Sequence, residues 1–247
     1  MTGEQALSVG VLTNPRLWDW QCRALESVQA LDGVNIELVV ANESKRGADN
    51  LGSTTDQVRH FAQSLFSGYR YPIVQADQRI PWLFSLDNER EAYLDTVFVE
   101  DASVLSDVDV TWCTPITQDG VWESFPDHVV DRVVDEVDVV LRLGFGLLTG
   151  RIIQEPRYGV LSAHGSDIRR FRGLGPQLTF LDDGGEVSVT LQELTEDIDG
   201  GRIVCLLTEE LSEPYTLSDI WATVREMQTE LYAEGIEKIR RDGFEPS

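Results

Sequence analysis

The sequence predicts an α/β fold, with a doubly wound, mostly parallel sheet covered by helices and a long C-terminal helix. The first observation is the opening of the chain, where strand-like apolar runs at residues 8–13 and 34–41 flank a helix-period pattern at 16–31. The second is a pair of short apolar runs at 138–143 and 158–163, which have the length of buried strands. Strands that alternate with helices form β-α-β units, so the sheet is expected to be parallel.

The remaining elements follow from the same patterns. Strands are predicted over residues 96–99, 108–113, 186–191 and 202–207, and helices over 54–66, 126–134, 176–181 and 217–239. The last helix is amphipathic, because Ile220, Val224, Met227 and Leu231 recur on one side of it. No internal repeat or low-complexity segment interrupts the chain. We therefore expect one domain over residues 1–247.

The net charge of -23 limits the class of partner. Proteins that bind nucleic acid present a basic patch to the phosphates, so we expect no nucleic-acid partner. Lys45 and Lys238 are the only lysines, and arginine supplies the other eighteen of the twenty basic residues. This composition is typical of a halophilic protein, because roughly 1 M salt screens charges over about 3 Å and makes self-repulsion tolerable. An acidic surface that only maintains solubility is the alternative.

The three cysteines, Cys22, Cys113 and Cys205, are widely spaced and lie in apolar settings. Without a Cys-x-x-Cys pair they indicate neither a disulfide framework nor a zinc site, and buried free thiols in a reducing cytosol are expected. No apolar run approaches about 18 residues, and the polar N-terminus does not have the pattern of a signal peptide. We expect a soluble, cytoplasmic protein with no membrane partner and no metal.

Polar residues follow the predicted strands where a ligand site is expected. His164 comes directly after the run 158–163, and residues 138–143 open into the glycine loop Gly144-Phe145-Gly146. Asp199 lies in a turn-rich stretch between the last two strands. Ligands of open parallel sheets bind outside the carboxyl ends of the strands, so we expect these groups to share one site. A lone histidine after a strand is more often an ordinary loop or core residue.

Two motifs in this region resemble those of the folate-dependent formyltransferase family. Ser162-Ala163-His164 with the later Arg172-Gly173 is similar to the family's strand with Asn-x-His and the loop that ends in Arg-Gly. Ile198-Asp199-Gly200-Gly201-Arg202-Ile203-Val204 is similar to its Leu-Asp-x-Gly motif before an apolar strand. Residues 138–148 look like the family's folate-side strand and loop. The resemblance covers roughly residues 130–208.

The resemblance implies a Rossmann-like formyltransferase fold and 10-formyltetrahydrofolate as the formyl donor. His164 would stabilise the oxyanion and move protons, and Asp199 would hold the histidine in its useful state. Ser162 falls where the family has a catalytic asparagine that donates to the formyl oxygen, and a hydroxyl reaches less far than a carboxamide. The pterin pocket would be lined, largely through backbone groups, by Leu143, Gly144, Phe145, Gly146, Leu147, Leu148, Thr195, Glu196 and Asp197.

Arginines in the loop after His164 point to the acceptor. Arg169, Arg170 and Arg172 are candidates to bind an anionic small-molecule amine, such as a nucleotide-linked amino sugar. Asn14, at the end of the first strand, is a further candidate for the substrate, with a turn and helix cap as the alternative. Family members that act on methionyl-tRNA carry a basic C-terminal barrel domain; we expect none in this protein, and therefore no tRNA acceptor.

The serine at position 162, and the absence of the family's prolines from the loop between His164 and Gly173, leave two alternatives to formyl transfer. One is a formyltransferase fold that binds a small molecule or a partner without catalysis. The other is hydrolysis of 10-formyltetrahydrofolate by water. Retention of folate separates either reaction from an inert fold, and acceptor-dependent release of folate separates transfer from hydrolysis. The pattern does not predict the oligomeric state.

Overall fold

A computed structural model describes most of the chain, and the described residues belong to one compact unit. They are residues 6–46, 95–118, 121–173, 175–182, 184–198, 200–212 and 215–241. The helix predicted over 54–66 and the candidate catalytic residue Asp199 lie outside these ranges.

The strands and helices of the described ranges are numbered in chain order. The strands are β1 (Leu7–Thr13), β2 (Arg16–Trp18), β3 (Val34–Asn42), β4 (Thr96–Phe98), β5 (Asp109–Cys113), β6 (Ile116–Gln118), β7 (Trp122–Ser124), β8 (Val139–Arg142), β9 (Leu147–Leu148), β10 (Val160–His164), β11 (Glu186–Glu193) and β12 (Arg202–Glu210). The helices are α1 (Asp19–Gln29), α2 (Asp127–Glu136), α3 (Arg151–Gln154), α4 (Gly175–Asp182) and α5 (Leu217–Ile239).

Seven of the described strands form the central sheet, in the order β12-β11-β10-β8-β1-β3-β5. The five strands from β10 to β5 are parallel to one another, while β11 and β12 run antiparallel at one edge. β8 and β10 are neighbours, so the ends of the strands before Gly144 and His164 lie side by side, as the sequence predicts. The mostly parallel α/β fold is confirmed.

Helices cover both faces of this sheet, which makes it doubly wound. On one face, Leu25 of α1 and Leu231 of α5 share a core with Val9 and Leu161. On the other face, α2 and α3 pack through a second cluster of buried residues, Leu12, Leu38, Val40, Val129, Val133, Val140, Ile152 and Val160 among them. Successive residues of a strand point to opposite faces, so Val160, Ser162 and His164 face the side of α2.

The start of α1 differs from the prediction, because residues 16–18 form β2 rather than a helix. Arg16 anchors this strand to β4: its Nε donates to Thr96 Oγ1 at 2.8 Å, and its guanidinium lies 4.1 Å from the ring centre of Phe98. Leu17, the middle residue of β2, is fully buried. The antiparallel pairing of β2 with β4 therefore prevails over the helical spacing, and α1 begins at Asp19.

α5 has the bounds that the sequence predicts. It begins at a capping box in which Thr216 accepts from the backbone N–H of Asp219 and the Asp219 carboxylate accepts from that of Thr216. Among the described residues, no helix is apolar enough over a sufficient length to cross a bilayer.

Candidate active site

Ser162 and His164 lie on one face of β10, next to the end of β8. Ser162 stands opposite Arg142 in the parallel pairing of the two strands and is only 3% exposed. Its Oγ accepts a hydrogen bond from Arg142 Nη1 at 3.1 Å. His164 is half-buried, and its Nε2 lies 3.2 Å from the backbone oxygen of Phe171, in the loop that follows the strand.

The turn between β11 and β12 is described on either side of Asp199. Thr195 Oγ1 donates to the backbone oxygen of Gly200 at 3.4 Å, and the Gly201 N–H donates to the Oε1 of Gln192 at 3.1 Å. Gln192 is buried and lies on the same sheet face as His164, since Thr190 pairs with His164 and strand residues alternate. The proximity of His164 and Asp199 stays a prediction.

The loop after β8, which resembles the family's folate-side loop, is held from three directions. The Phe145 N–H donates to Asn14 Oδ1 at 3.3 Å, and the Gly146 N–H donates to Glu123 Oε2 at 2.6 Å. The backbone oxygen of Leu143 accepts from Gln21 Nε2 at 2.9 Å. These bonds support a strained residue, because Phe145 has a φ of 65°, which residues with side chains rarely adopt. The loop is therefore a wall held by hydrogen bonds from Gln21, Asn14 and Glu123.

Glycine is required at position 144 in this wall. A Cβ on Gly144 would overlap the backbone of Thr13 and Asn14, so the loop can approach the end of β1 only without a side chain there. Asn14, predicted as a substrate residue, thus uses its carboxamide oxygen to position Phe145. Leu147 and Leu148, predicted as loop residues, form β9 and pair with β7.

Arg142 is a site residue that the motifs do not reveal. Besides Ser162, its guanidinium donates through Nη2 to the backbone oxygen of Gly146 at 2.6 Å and of Phe145 at 3.4 Å. It therefore bridges the strand that carries Ser162 and the loop after β8. The available signal was a charged residue ending an otherwise apolar buried run, Val-Val-Leu-Arg.

Tyr232 of α5 is a second residue that sequence patterns do not reveal. It is almost fully buried, its hydroxyl donates to the backbone oxygen of Arg142 at 3.0 Å, and it accepts from the Ala163 N–H at 3.3 Å. Burial raises the pKa of Tyr232 to about 12, so the hydroxyl stays neutral. One side chain thus holds the ends of β8 and β10 at a fixed separation.

The three predicted substrate arginines have different surroundings. Arg169 forms an ion pair with Asp167 at 2.8 Å, and this bond holds the pKa of Asp167 below its ordinary value. Arg170 pairs with Asp182 at 2.7 Å. Arg172 is exposed and lines, with Arg169 and Lys238, a cavity of about 610 Å³.

This cavity, called the cationic cavity below, is also bordered by the backbone of Gly200 and Gly201, directly after Asp199. Its other lining residues are apolar, namely Ile168, Ile203, Val204, Cys205 and Leu206. Arg170 is not part of the lining. The cavity combines positive charge with an apolar wall, which suits an organic anion.

The acidic residues predicted for the pterin pocket lie at the surface. Glu196 accepts a hydrogen bond from Gln154 Nε2 at 2.9 Å, and the Asp197 N–H donates to Thr195 Oγ1 at 3.4 Å. Both are exposed, while Thr195 is half-buried. Across the described ranges, no group of three His, Cys, Asp or Glu side chains is placed to hold a metal ion.

Comparison with known proteins places this site in a family. A family model described as formyl transferase matches residues 123–236, from β7 to α5. Residues 123–236 belong to the formyltransferase family. The segment contains Ser162, His164, the loop after β8 and Arg142, while Asn14 lies before it.

The relatives of this formyltransferase segment are distant. A methionyl-tRNA formyltransferase from Fusobacterium nucleatum is 25% identical over 123 residues, which are 48% of this chain and 40% of that enzyme. Another from Lachnospira eligens is 29% identical over 111 residues, covering 44% of this chain and 35% of the relative. The chain thus spans only about two fifths of the length of these curated relatives.

Solved structures share the fold over nearly the whole chain. A phosphoribosylglycinamide formyltransferase from Anaplasma phagocytophilum has a TM-score of 0.58 at 14% identity, covering 96% of this chain and 89% of that one. A formyltetrahydrofolate deformylase from Pseudomonas syringae has a TM-score of 0.56 at 13% identity, covering 96% of this chain and 62% of that one. At such identities the likeness establishes the formyltransferase fold alone.

Proposed function

We propose that this protein transfers a formyl group from 10-formyltetrahydrofolate, the donor that the formyltransferase family uses, to the amine of a small molecule. The observation that carries the proposal is the arrangement of Ser162 and His164. They lie two residues apart on one face of β10, beside the loop after β8, and inside the segment that matches the family. A hydroxyl and an imidazole so placed can donate to an oxygen and exchange a proton.

The residues around the loop after β8 are compatible with a pterin ring. The ring presents N–H donors along one edge, and such donors pair well with a carboxylate. Glu123 offers a half-buried carboxylate, and Gly146 allows it to approach the loop closely, because a Cβ on Gly146 would lie 3.1 Å from the Glu123 carboxyl carbon. We assign Glu123 and Leu147 as the polar and apolar parts of this pocket, with Thr195, Glu196 and Asp197 opposite them.

The donor, when bound, supplies a one-carbon group already activated for attack by an amine. Ser162 donates a hydrogen bond to the formyl oxygen, where negative charge develops as the amine adds to the carbon. His164 supports the same charge and carries a proton from the attacking amine toward the nitrogen that leaves. By resemblance, Asp199 fixes the protonation state of His164. This division of roles needs no metal.

We further propose that the acceptor carries an anionic group that binds in the cationic cavity. Arg172 is the main contact, because Arg169 and Lys238 already have carboxylate partners, Asp167 and Glu234. The cavity volume of about 610 Å³ is within the range of small-molecule sites. A nucleotide-linked amino sugar meets both requirements, an amine and an anion. We place Arg170 outside the acceptor site.

The deciding experiment incubates the protein with 10-formyltetrahydrofolate and a panel of anionic and neutral amines, in low and high salt, and follows release of tetrahydrofolate. Transfer predicts release that depends on an amine and a formylated product. Release without any amine would instead identify a hydrolase. Binding of folate without release, or no binding, would leave a non-catalytic protein with a formyltransferase fold.

A further inference from the structure

Buried Ser162 and half-buried Arg142 form a hydrogen-bonded pair in the candidate active site. The guanidinium of Arg142 reaches from the end of β8 to the Ser162 hydroxyl on the neighbouring strand, over 3.1 Å. A guanidinium carries only donors, so Arg142 donates and the Ser162 oxygen accepts. The hydroxyl hydrogen of Ser162 consequently points away from the guanidinium of Arg142.

The charge of the guanidinium changes what this hydroxyl can do. A hydrogen bond from an ionised donor is stronger than one between neutral groups, and it withdraws electron density from the accepting oxygen. Hydrogen bonds in a chain polarise one another, most strongly where water is excluded. Ser162 is 3% exposed, so its O–H becomes a better donor than an ordinary serine hydroxyl.

Arg142 is itself held in place from two sides. Its Nη2 donates to the backbone oxygen of Gly146 at 2.6 Å, and its own backbone oxygen accepts from the Tyr232 hydroxyl at 3.0 Å. The partners lie on the loop after β8 and on α5. A group supported in this way keeps its orientation during a reaction.

We propose that Arg142 is a positioning residue that orients and polarises the Ser162 hydroxyl toward the formyl oxygen. The pair replaces the single carboxamide that the family's asparagine supplies, with the serine making the contact and the arginine supplying the electrostatic strength. The role in catalysis rests on the proposed function, whereas the coupling between Arg142 and Ser162 does not.

A double-mutant cycle on transfer tests the catalytic role. Arg142→Met and Ser162→Ala should each lower kcat about 10- to 100-fold, as for loss of an oxyanion-side donor, and Ser162→Ala should leave the donor affinity nearly unchanged. If Arg142 acts through Ser162, the double variant should be hardly slower than either single variant. Arg142→Lys should restore part of the rate. Fully additive losses would overturn the proposal.

A second measurement decides the coupling without any enzymatic turnover. Ser162→Cys introduces a thiol at the position of the hydroxyl, and its thiolate can be titrated by ultraviolet absorbance. The native thiols do not interfere, because burial raises the pKa of Cys22 and Cys113 to about 11 and that of Cys205 to about 12. Beside Arg142 the new thiol should have a pKa below the ordinary cysteine value of about 8.5.

Adding Arg142→Met to Ser162→Cys should raise the pKa of the new thiol above the ordinary value, because burial raises it and no guanidinium is left to lower it. Arg151→Met is the matched control, since Arg151 is exposed and pairs with Asp127, Asp131 and Glu155 at the surface. It should leave the titration unchanged. An unchanged titration with Arg142→Met would refute the coupling, even if the protein transfers formyl groups. If the titration shifts but the protein shows no turnover, the coupling between Arg142 and Ser162 stands and only the proposed function is refuted.

Discussion

The side chain at position 162 shows how one residue can depend on its neighbour. Ser162 is enclosed, and the guanidinium of Arg142 fills the space beside its hydroxyl. A longer side chain at 162 must therefore displace Arg142 from its bonds to the loop after β8. The serine and the arginine are best regarded as one unit, and a substitution of either changes both.

This unit predicts the outcome of restoring the family's asparagine. Ser162→Asn alone should lower the free energy of unfolding by about 1–3 kcal/mol, because the larger side chain overpacks the site. Combined with Arg142→Val, which makes room for the carboxamide, Ser162→Asn should lower the free energy of unfolding by less than the sum of the two single changes, and its carboxamide should take over the contact to the formyl oxygen. Denaturant unfolding and turnover of the three variants provide the check. A stable, active Ser162→Asn single variant would show that the pocket has more room than the structure indicates.

The arginines after His164 allow a matched comparison of charge at the acceptor. Arg172→Gln should raise KM for an anionic acceptor about tenfold, since a hydrogen bond to a charged group is worth about 1.5–3 kcal/mol. Neutral amines should be affected little. Arg170→Gln is the control, because Arg170 pairs with Asp182 and does not line the cationic cavity. Equal effects of the two substitutions would place the anion elsewhere.

At the scale of elements, the site depends on how α5 is joined to the sheet. The hydroxyl of Tyr232 bonds to the backbone of Arg142 and of Ala163, at the two strand ends that carry the candidate catalytic groups. The hydroxyl thus adds polar contacts at these strand ends to the apolar packing of α5 on the sheet. The spacing of β8 and β10 is thus set partly by a side chain more than sixty residues away from either.

Removing the Tyr232 hydroxyl should lower the stability of the protein, although it deletes only one atom other than hydrogen. Tyr232→Phe leaves a buried backbone N–H and a backbone oxygen short of one bond each, and a buried unsatisfied group costs about 1–3 kcal/mol. We expect a lower melting temperature and slower transfer. Tyr158→Phe, at a half-buried tyrosine next to β10, is the matched control and should change stability little. Equal melting temperatures for the two variants would contradict the role given to Tyr232.

The sequence predicts the elements that are long enough for a periodic pattern and does not predict the shortest ones. The strands of the central sheet and α5 have strong apolar periodicity, and they are found within a few residues of the predicted bounds. β2, β6, β7, β9 and α3 are two to four residues long, too short for a periodic pattern. β2 and β9 also pair with strands that are remote in the chain, β4 and β7.

The candidate site is likewise predicted in its motif residues and not in the residues that only the folded chain brings together. Motifs marked Ser162 and His164, and the strand order implied that β8 and β10 meet. Arg142, Glu123 and Tyr232 were not predicted, because their roles come from hydrogen bonds between segments far apart in the chain. A charged residue at the end of an apolar strand was the one local sign.

For the whole molecule, the net charge of -23 is carried by carboxylates that outnumber their partners. For example, the single guanidinium of Arg151 lies within ion-pair distance of three surface carboxylates, those of Asp127, Asp131 and Glu155. Such exposed pairs are worth little individually, so repulsion among the remaining acids is the larger effect. Stability should then depend on the ionic strength.

We expect the melting temperature to rise steeply between dilute buffer and potassium chloride at about 1 M, because salt shortens the range of charge repulsion to roughly 3 Å. Differential scanning fluorimetry over a series of salt concentrations measures this directly. Sodium chloride at the same ionic strength is the control: if screening is the cause, it should raise the melting temperature to the same degree as potassium chloride. A melting temperature that does not change with salt would favour an acidic surface that serves solubility alone.

β1 lies in the middle of the seven-stranded sheet although it is synthesised before the other six strands of that sheet. Its residues pair with β3 on one side and with β8 on the other, and the chain between Asn42 and Val139 must be synthesised before the second side closes. At about 5–20 residues per second, a nascent chain spends several seconds with the backbone N–H and C=O groups of one edge of β1 unpaired. Such an edge is a template for misassembly. Ribosome pausing within that interval should therefore lower the yield of folded protein more than pausing after β8.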